Sequence, residues 1–162
     1  MNRSLVNAAF SGTLSSNVAQ LPRLPIRVHV SDPERKWVRP VQDRLEALVE
    51  KLQPGWDGYQ GMPVSLLNAW FALRMLEATC GETAPIPQIV PGSRGDLQIE
   101  WHTAKGDIEL HVRAPNDVHA WRMTTEDAPD GQELHLTNDF VKVAEWVAEL
   151  AEATIAPRTA AA

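Results

Sequence analysis

The chain has 162 residues and a formal net charge of −6, with 21 Asp and Glu residues against 15 Lys and Arg residues. This length predicts one domain with a core of useful size, and 44% hydrophobic with 22% charged residues argues against a disordered chain. The acidic balance argues against a protein that follows nucleic-acid phosphates, and it favours a basic partner or a cationic ligand.

Cys80 is the only cysteine, which excludes a disulfide within the chain and a zinc site built from thiolates. It lies in an apolar helical stretch, so we expect a small buried side chain. No stretch approaches the ~18 apolar residues of a membrane span, and the first residues are too polar for a secretory signal. We therefore expect a cytoplasmic protein that contacts no membrane and carries no cofactor or metal.

Residues 1–24 are rich in Ser, Asn and Ala and lack a hydrophobic period, which predicts a flexible N-terminal arm. A single domain is predicted over 25–155, and a disordered tail over 156–162. Within the domain, alternating apolar and polar residues over 26–30 predict a short strand.

Two helices are predicted next. Apolar residues at spacings of three and four predict a helix over 40–53, which Pro54 and Gly55 end. Ser65 is a good N-cap residue for a second helix that runs to Cys80.

After the second helix, the hydrophobic period changes from 3.6 to 2. The pattern predicts four strands, at residues 97–102, 108–113, 118–123 and 133–136. A closing helix follows, from Thr137 or Asn138 to about residue 154. The first two strands form a hairpin that turns at Ala104 and Lys105. Two N-terminal helices, an antiparallel meander of three to four strands and a C-terminal helix make an α+β fold. The helices should cover one face of the sheet and leave the other open.

The register of the first hairpin follows from its apolar residues, because pairing them all on one side also fixes the polar side. This register places Glu100 opposite Glu109 and His102 opposite Asp107, with His111 on the same open face. A tight second turn at Pro115 and Asn116 would then place Arg122 opposite Glu109.

The same second turn would direct Trp121 and Met123 towards the covered face, and His119 with them. Two carboxylates directly opposite each other are mildly unfavourable, and Arg122 beside them would offset this. A bound cation or a basic group from a partner would have the same effect.

The open face therefore has several interpretations. It is a solvated surface, or it binds another protein through Glu100, His102, Asp107, Glu109, His111 and Arg122. The leading functional interpretation is a non-enzymatic binding protein of the antitoxin, immunity, inhibitor or adaptor type. One alternative is a small hydrolase that uses the glutamates and histidines of this face as acid and base. Another is a homo-oligomeric structural subunit, such as a homodimer.

Two short stretches are distinctive: Gly55-Trp56-Asp57-Gly58-Tyr59 followed by Pro63, and Gly95 to Trp101. Together they resemble a group of small, mostly uncharacterised bacterial proteins with a GWDGYGA-x-P-type turn and a later G-x-I-x-L-E-W-type strand. This sequence departs from the pattern in having Gln60-Gly61 where Gly-Ala is usual. The resemblance implies a helix-turn-helix-meander unit and no catalytic residues.

The residues of the turn have a structural interpretation of their own. We expect Trp56 and Tyr59 to pack the turn against the sheet, and Asp57 to bind the backbone of the turn. Gly58 supplies the conformational freedom that such a turn needs.

Overall fold

A computed structural model describes residues 35–125 and 131–151. It contains three helices and five strands: α1 (Val38–Glu50), α2 (Leu66–Thr79), β1 (Gln88–Pro91), β2 (Leu97–Thr103), β3 (Gly106–Ala114), β4 (Asp117–Thr124), β5 (Gln132–Leu136) and α3 (Val141–Ala151). The strands pair antiparallel in sequence order, so the sheet is a meander and the α+β class is confirmed. The predicted arm, the strand over 26–30 and the tail lie outside the described residues.

The helices begin where local chemistry favours a start. Ser65 caps α2 as predicted, because its Oγ accepts a hydrogen bond from the backbone N–H of Asn68 at 3.1 Å. The start of α3 lies later than predicted, since the carboxylate of Asp139 accepts from the N–H of Val141 at 3.0 Å. At its other end, α1 stops at Glu50 rather than at residue 53.

One hydrophobic core fills the space between the sheet and the three helices. From the sheet it receives Leu97, Ile99, Trp101, Ile108, Leu110, Val112, Val118 and Ala120, all essentially buried. From the helices it receives Leu45, Leu48, Leu73, Leu76, Val143, Trp146 and Val147. All three helices therefore cover the same sheet face, and the opposite face has no helix of the described chain against it.

The sheet has five strands rather than the three or four predicted. The additional strand is β1, which was not predicted because its prolines indicate an extended linker. Gln88 pairs with Glu100 and Pro91 with Leu97. Prolines near β1 hide it in the sequence, yet an edge strand tolerates them because its outward N–H groups need no partner strand. The guanidinium of Arg44 in α1 donates to the carbonyl of Ile89 in β1 at 2.9 Å.

In the second hairpin, the observed pairing of β3 with β4 differs from the predicted register by one residue. Its turn is placed as expected, with Ala114 opposite Asp117, but a β-bulge between Val112 and Ala114 shifts all later pairs. Arg113 is the extra residue in β3. Because side chains alternate along a strand, a shift of one residue exchanges the two faces of β4.

Candidate functional site: the open face of the sheet

The uncovered side of the sheet, called the open face below, carries mostly polar and aromatic side chains from all five strands. They are Gln88 and Val90 of β1, Gln98, Glu100 and His102 of β2, Asp107, Glu109 and His111 of β3, Asp117, His119, Trp121 and Met123 of β4, and Glu133 and His135 of β5. Five of the six residues predicted for the binding face lie here. The exception is Arg122.

An acidic row crosses the middle of the open face. Glu100 pairs directly with Glu109 as predicted, Glu109 pairs with Trp121, and Trp121 pairs with Glu133. Directly opposite side chains have Cβ atoms about 5 Å apart, so Glu109 lies between a second carboxylate and an indole ring. Unlike that of Glu100, the side chain of Glu109 makes no hydrogen bond or ion pair with any described residue.

Trp121 is held against the backbone of the segment that enters β5. A Cβ atom on Gly131 would lie 3.0 Å from the indole Nε1 and 3.2 Å from Cε2, and Gly131 has a φ of +68°. Both the left-handed backbone and the close indole require glycine at this position. The contact fixes the ring beside Glu109 and Glu133.

His102 bridges two of the carboxylates at one end of the face. Its Nδ1 lies 3.0 Å from Asp107 and its Nε2 lies 3.3 Å from Glu100. The hydrogen bond to Asp107 first, and then the one to Glu100, raise the pKa of His102 above its usual value. The imidazole is half-exposed, so protons reach it directly from solvent.

A row of three histidines lies beside the acidic row. His111, His119 and His135 occupy directly paired positions on β3, β4 and β5. The prediction that His119 points inward is wrong, because the β-bulge moves it to the open face, where its Nε2 is 3.8 Å from Glu133.

Each outer histidine of this row contacts an aspartate at its Nε2. His111 lies 2.5 Å from the nearly buried Asp96, and His135 lies 2.9 Å from Asp117. Burial opposes ionisation of Asp96, but hydrogen bonds from His111 and from the N–H of Arg94 outweigh it, so the pKa of Asp96 is lowered. The hydrogen bond to His135 is the main cause of the lowered pKa of Asp117.

Arg122 does not belong to the open face, which corrects the prediction. Its side chain is on the covered side of β4 opposite Ile108, only 13% exposed. There the guanidinium forms an ion pair with Glu149 of α3 and lies 5.7 Å from the ring of Trp146. The cation expected to offset the Glu100–Glu109 pair is therefore on the other side of the sheet.

The glycine-rich turn before α2 is ordered by its own hydrogen bonds. Asp57 accepts from the N–H groups of Tyr59 and Gly61, both at 2.9 Å, and these bonds lower the pKa of its carboxyl. Trp56 donates through Nε1 to the carbonyl of Met62 at 3.0 Å. Gly58 adopts a φ of +82°.

Tyr59 does not pack the turn against the sheet as expected, since 87% of it is exposed. It lines an open depression of about 560 Å³ on the surface beside the turn. The lining residues are Asp57, Tyr59, Gln60, Met62, Ser93 and Arg94. No residue of the open face takes part in this depression.

Several residues of the open face were absent from the predicted site: Trp121, Glu133, His119 and His135. The alternation of Glu133 and His135 with leucines in the sequence indicates the outward side of β5. The bulge at Arg113 has no such signal, so the outward position of Trp121 was not accessible from sequence.

Within residues 35–125 and 131–151, no three histidine, cysteine, aspartate or glutamate side chains are arranged to hold a metal ion. None of the three described helices is long and apolar enough to cross a membrane. No known family model matches the chain, and searches of curated proteins and of solved structures found no match either.

Proposed function

We propose that this protein is a non-enzymatic binding protein whose open sheet face holds a basic segment of another protein. The observation that carries the proposal is Glu109, an ionisable side chain with no partner among residues 35–125 and 131–151, located between Glu100 and Trp121. A directly opposed carboxylate pair disfavours folding, so the arrangement is not explained by stability. A lysine or arginine from a partner would relieve the repulsion.

Charge complementarity favours a basic partner over other classes. The open face as defined above contains no lysine or arginine. Two basic side chains of the sheet already have acceptors: Arg113 pairs with Asp117 at 2.7 Å, and the Nζ of Lys105 donates to the carbonyl of Glu149 at 2.9 Å. Arg122 is on the covered side. The field above the sheet therefore attracts cations and steers their approach.

Trp121 adds a second type of contact to the same place. A guanidinium or ammonium group over an indole ring gains a cation–π interaction, and the two neighbouring glutamates can bind its N–H groups. Aromatic side chains that keep apolar area near charged neighbours are common energetic centres of protein interfaces. Such a face suits an antitoxin, immunity, inhibitor or adaptor protein that neutralises a basic surface.

The test measures binding of a fluorescein-labelled oligolysine peptide to the full-length protein by fluorescence anisotropy. The variant Glu100→Gln/Glu109→Gln keeps the shape of both side chains and removes two charges from the acidic row. An ion pair at about 4 Å is worth about 1 kcal/mol even in water, so the loss of two such pairs should lower the affinity about 30-fold at low salt and less at high salt. Trp121→Ala should weaken binding further.

The matched control is Glu50→Gln/Glu145→Gln, which removes the same net charge from exposed positions on α1 and α3. If the control variant lowers the affinity for the peptide as much as the test variant does, the protein binds the peptide through net charge alone and the open face is not a binding site. Unchanged affinity in the test variant would equally contradict the proposal.

A further inference from the structure

A second surface, unrelated to the open face, displays large apolar side chains. We call it the apolar patch and define it by six exposed residues of the turn and of the outer side of α2: Trp56, Tyr59, Met62, Leu66, Leu67 and Trp70. Leu67 is 68% exposed and Trp70 is 54% exposed. On the helix, Leu66 and Trp70 are four residues apart and Leu67 and Trp70 are three apart, so all three are neighbours.

Packing and hydrogen bonds hold the apolar patch in place, so its exposure is a property of the fold. The inner side of α2 is buried in the core through residues such as Leu73 and Leu76, which fixes the direction of the outer side. The turn is held by the Asp57 hydrogen bonds and by the N–H of Met62, which donates to the carbonyl of Ser93 at 2.9 Å.

The size of the apolar patch is that of an interface. Aromatic side chains present on the order of 150–250 Å² each, so two tryptophans, a tyrosine and three aliphatic residues leave several hundred Å² of apolar surface in water. Patches this large on a single chain mark interaction sites. A stable dimer needs about 800 Å² from each partner, which the patch and its polar rim can supply.

The distribution of charge indicates which partner fits. No charged residue occurs between Asp57 and Arg74, in a chain of which 22% is charged. Asp57 is directed into its turn, and Arg74 is paired with Glu77. The six residues of the apolar patch are therefore all uncharged. Asp57 and Arg94, one charge of each sign, lie beside Tyr59 and Met62 at its border, so the patch does not select a basic or an acidic partner.

We propose that a second copy of this chain covers the apolar patch, so that the protein is a symmetric homodimer joined through α2. In a twofold arrangement, Trp70 of each subunit packs near Leu67 of the other, so the same contact occurs twice. The carboxylates of the open face lie beyond the sheet and the helix layer, roughly 10 Å or more away. This exceeds the Debye length of about 8 Å at physiological salt, so two copies of net charge −6 dock without strong repulsion.

Such a dimer has a consequence for the open face. Because α2 covers the opposite side of the sheet, the two open faces point outward and both stay accessible. The dimer is then a bivalent protein, and a partner with repeated basic segments would gain avidity from it. The dimer itself does not depend on the proposed function of the open face.

The experiment is multi-angle light scattering and sedimentation equilibrium on the full-length chain from low to high micromolar concentration. We expect a mass of twice 17.9 kDa at high concentration. Leu67→Glu and Trp70→Glu place like charges near the twofold axis, and truncating a hot-spot residue at the centre of an interface costs at least about 30-fold in affinity. Both charged variants should therefore dissociate the dimer. Leu67→Gln adds a polar group without a charge and should lower the affinity of the dimer by less.

The matched control is Ile86→Glu, which introduces the same charge at a residue that is 53% exposed outside the apolar patch. It should leave the dimer intact. A strict monomer at all concentrations would overturn the proposal and leave the patch to a different protein or to residues 1–34 of the same chain. A dimer that survives all three patch variants would overturn it as well, because the interface would then lie elsewhere. Circular dichroism confirms that each variant is folded.

Discussion

Asn68 joins three parts of the fold, and its side chain allows a sharp test of how they are held together. It lies in the first turn of α2 and is only 6% exposed. Its Nδ2 donates to the carbonyl of Gly95 at 2.8 Å and to the carbonyl of Arg113 at 3.3 Å. The second acceptor is the bulged residue of β3, whose extra position decides which side chains of β4 reach the open face.

The cost of removing the amide follows from these contacts. A typical hydrogen bond contributes about 1 kcal/mol net, and a buried acceptor left without a donor costs about 1–3 kcal/mol. The carbonyl of Gly95 keeps one donor, the N–H of Ser65 at 2.9 Å. We therefore expect Asn68→Ala to lower the free energy of unfolding by about 1–2 kcal/mol.

Asn68→Asp should cost more, about 3 kcal/mol or above, because a buried carboxylate would face two carbonyl oxygens and offer neither a proton. Thermal unfolding followed by circular dichroism measures both variants. For a domain of this size, each kcal/mol lowers Tm by about 3–6 °C. As the pH falls towards about 4, the two variants should converge, since protonation of the new carboxyl restores one donor.

The control is Asn138→Asp, the same chemical change at an exposed position before α3, which should stay within about 0.5 kcal/mol of the parent protein. If Asn68→Asp unfolds no more easily than Asn68→Ala, the amide is not the donor to these carbonyls. The account of how α2 fixes the bulge would then be wrong.

Three further outcomes are expected. Glu109→Gln should raise the free energy of unfolding by about 0.2–1 kcal/mol, because it removes the repulsion between two like charges. The control Glu50→Gln on α1 should leave the free energy of unfolding unchanged. A Glu109→Gln variant that is less stable than the parent protein would contradict the repulsion argument. The pKa of His102 is raised, so its imidazole should titrate in NMR spectra above pH ~6.5. Its stabilising contacts are complete below that pH and weaken as pH rises through the raised pKa, and Asp107→Asn should bring the midpoint down. Burial raises the pKa of the Cys80 thiol to about 12, so a disulfide reagent at pH 8 should modify the native protein far more slowly than the urea-unfolded one; equal rates would show that the thiol is accessible.

Local chemistry in the sequence accounts for much of the fold. The first hairpin could be predicted residue by residue, because apolar side chains occupy one side of both strands and any slip would bury polar residues. The start of α2 could be predicted from Ser65 for a similarly local reason. Its hydroxyl oxygen accepts a hydrogen bond from a backbone N–H in the first turn of the helix, which has no acceptor within the helix. The α+β class follows from the order of such elements.

Other elements depend on contacts that no short stretch of sequence contains. The strand β1 exists because β2 pairs with it and Arg44 binds its outer edge, so its prolines are misleading when considered alone. Helix α2 is apolar on nearly all sides, and only the packing of α1, α3 and the sheet decides that Leu67 and Trp70 stay outside.

The open face shows both kinds of determination at once. The sequence by itself determined that Glu100 opposes Glu109 and that His102 meets Asp107, because alternation and a tight turn set that register. Only the tertiary structure decided that Trp121 completes the acidic row while Arg122 turns to Glu149 and Trp146 on the other side. A single bulged residue made that difference, since in a strand with a period of two one extra residue exchanges its two faces.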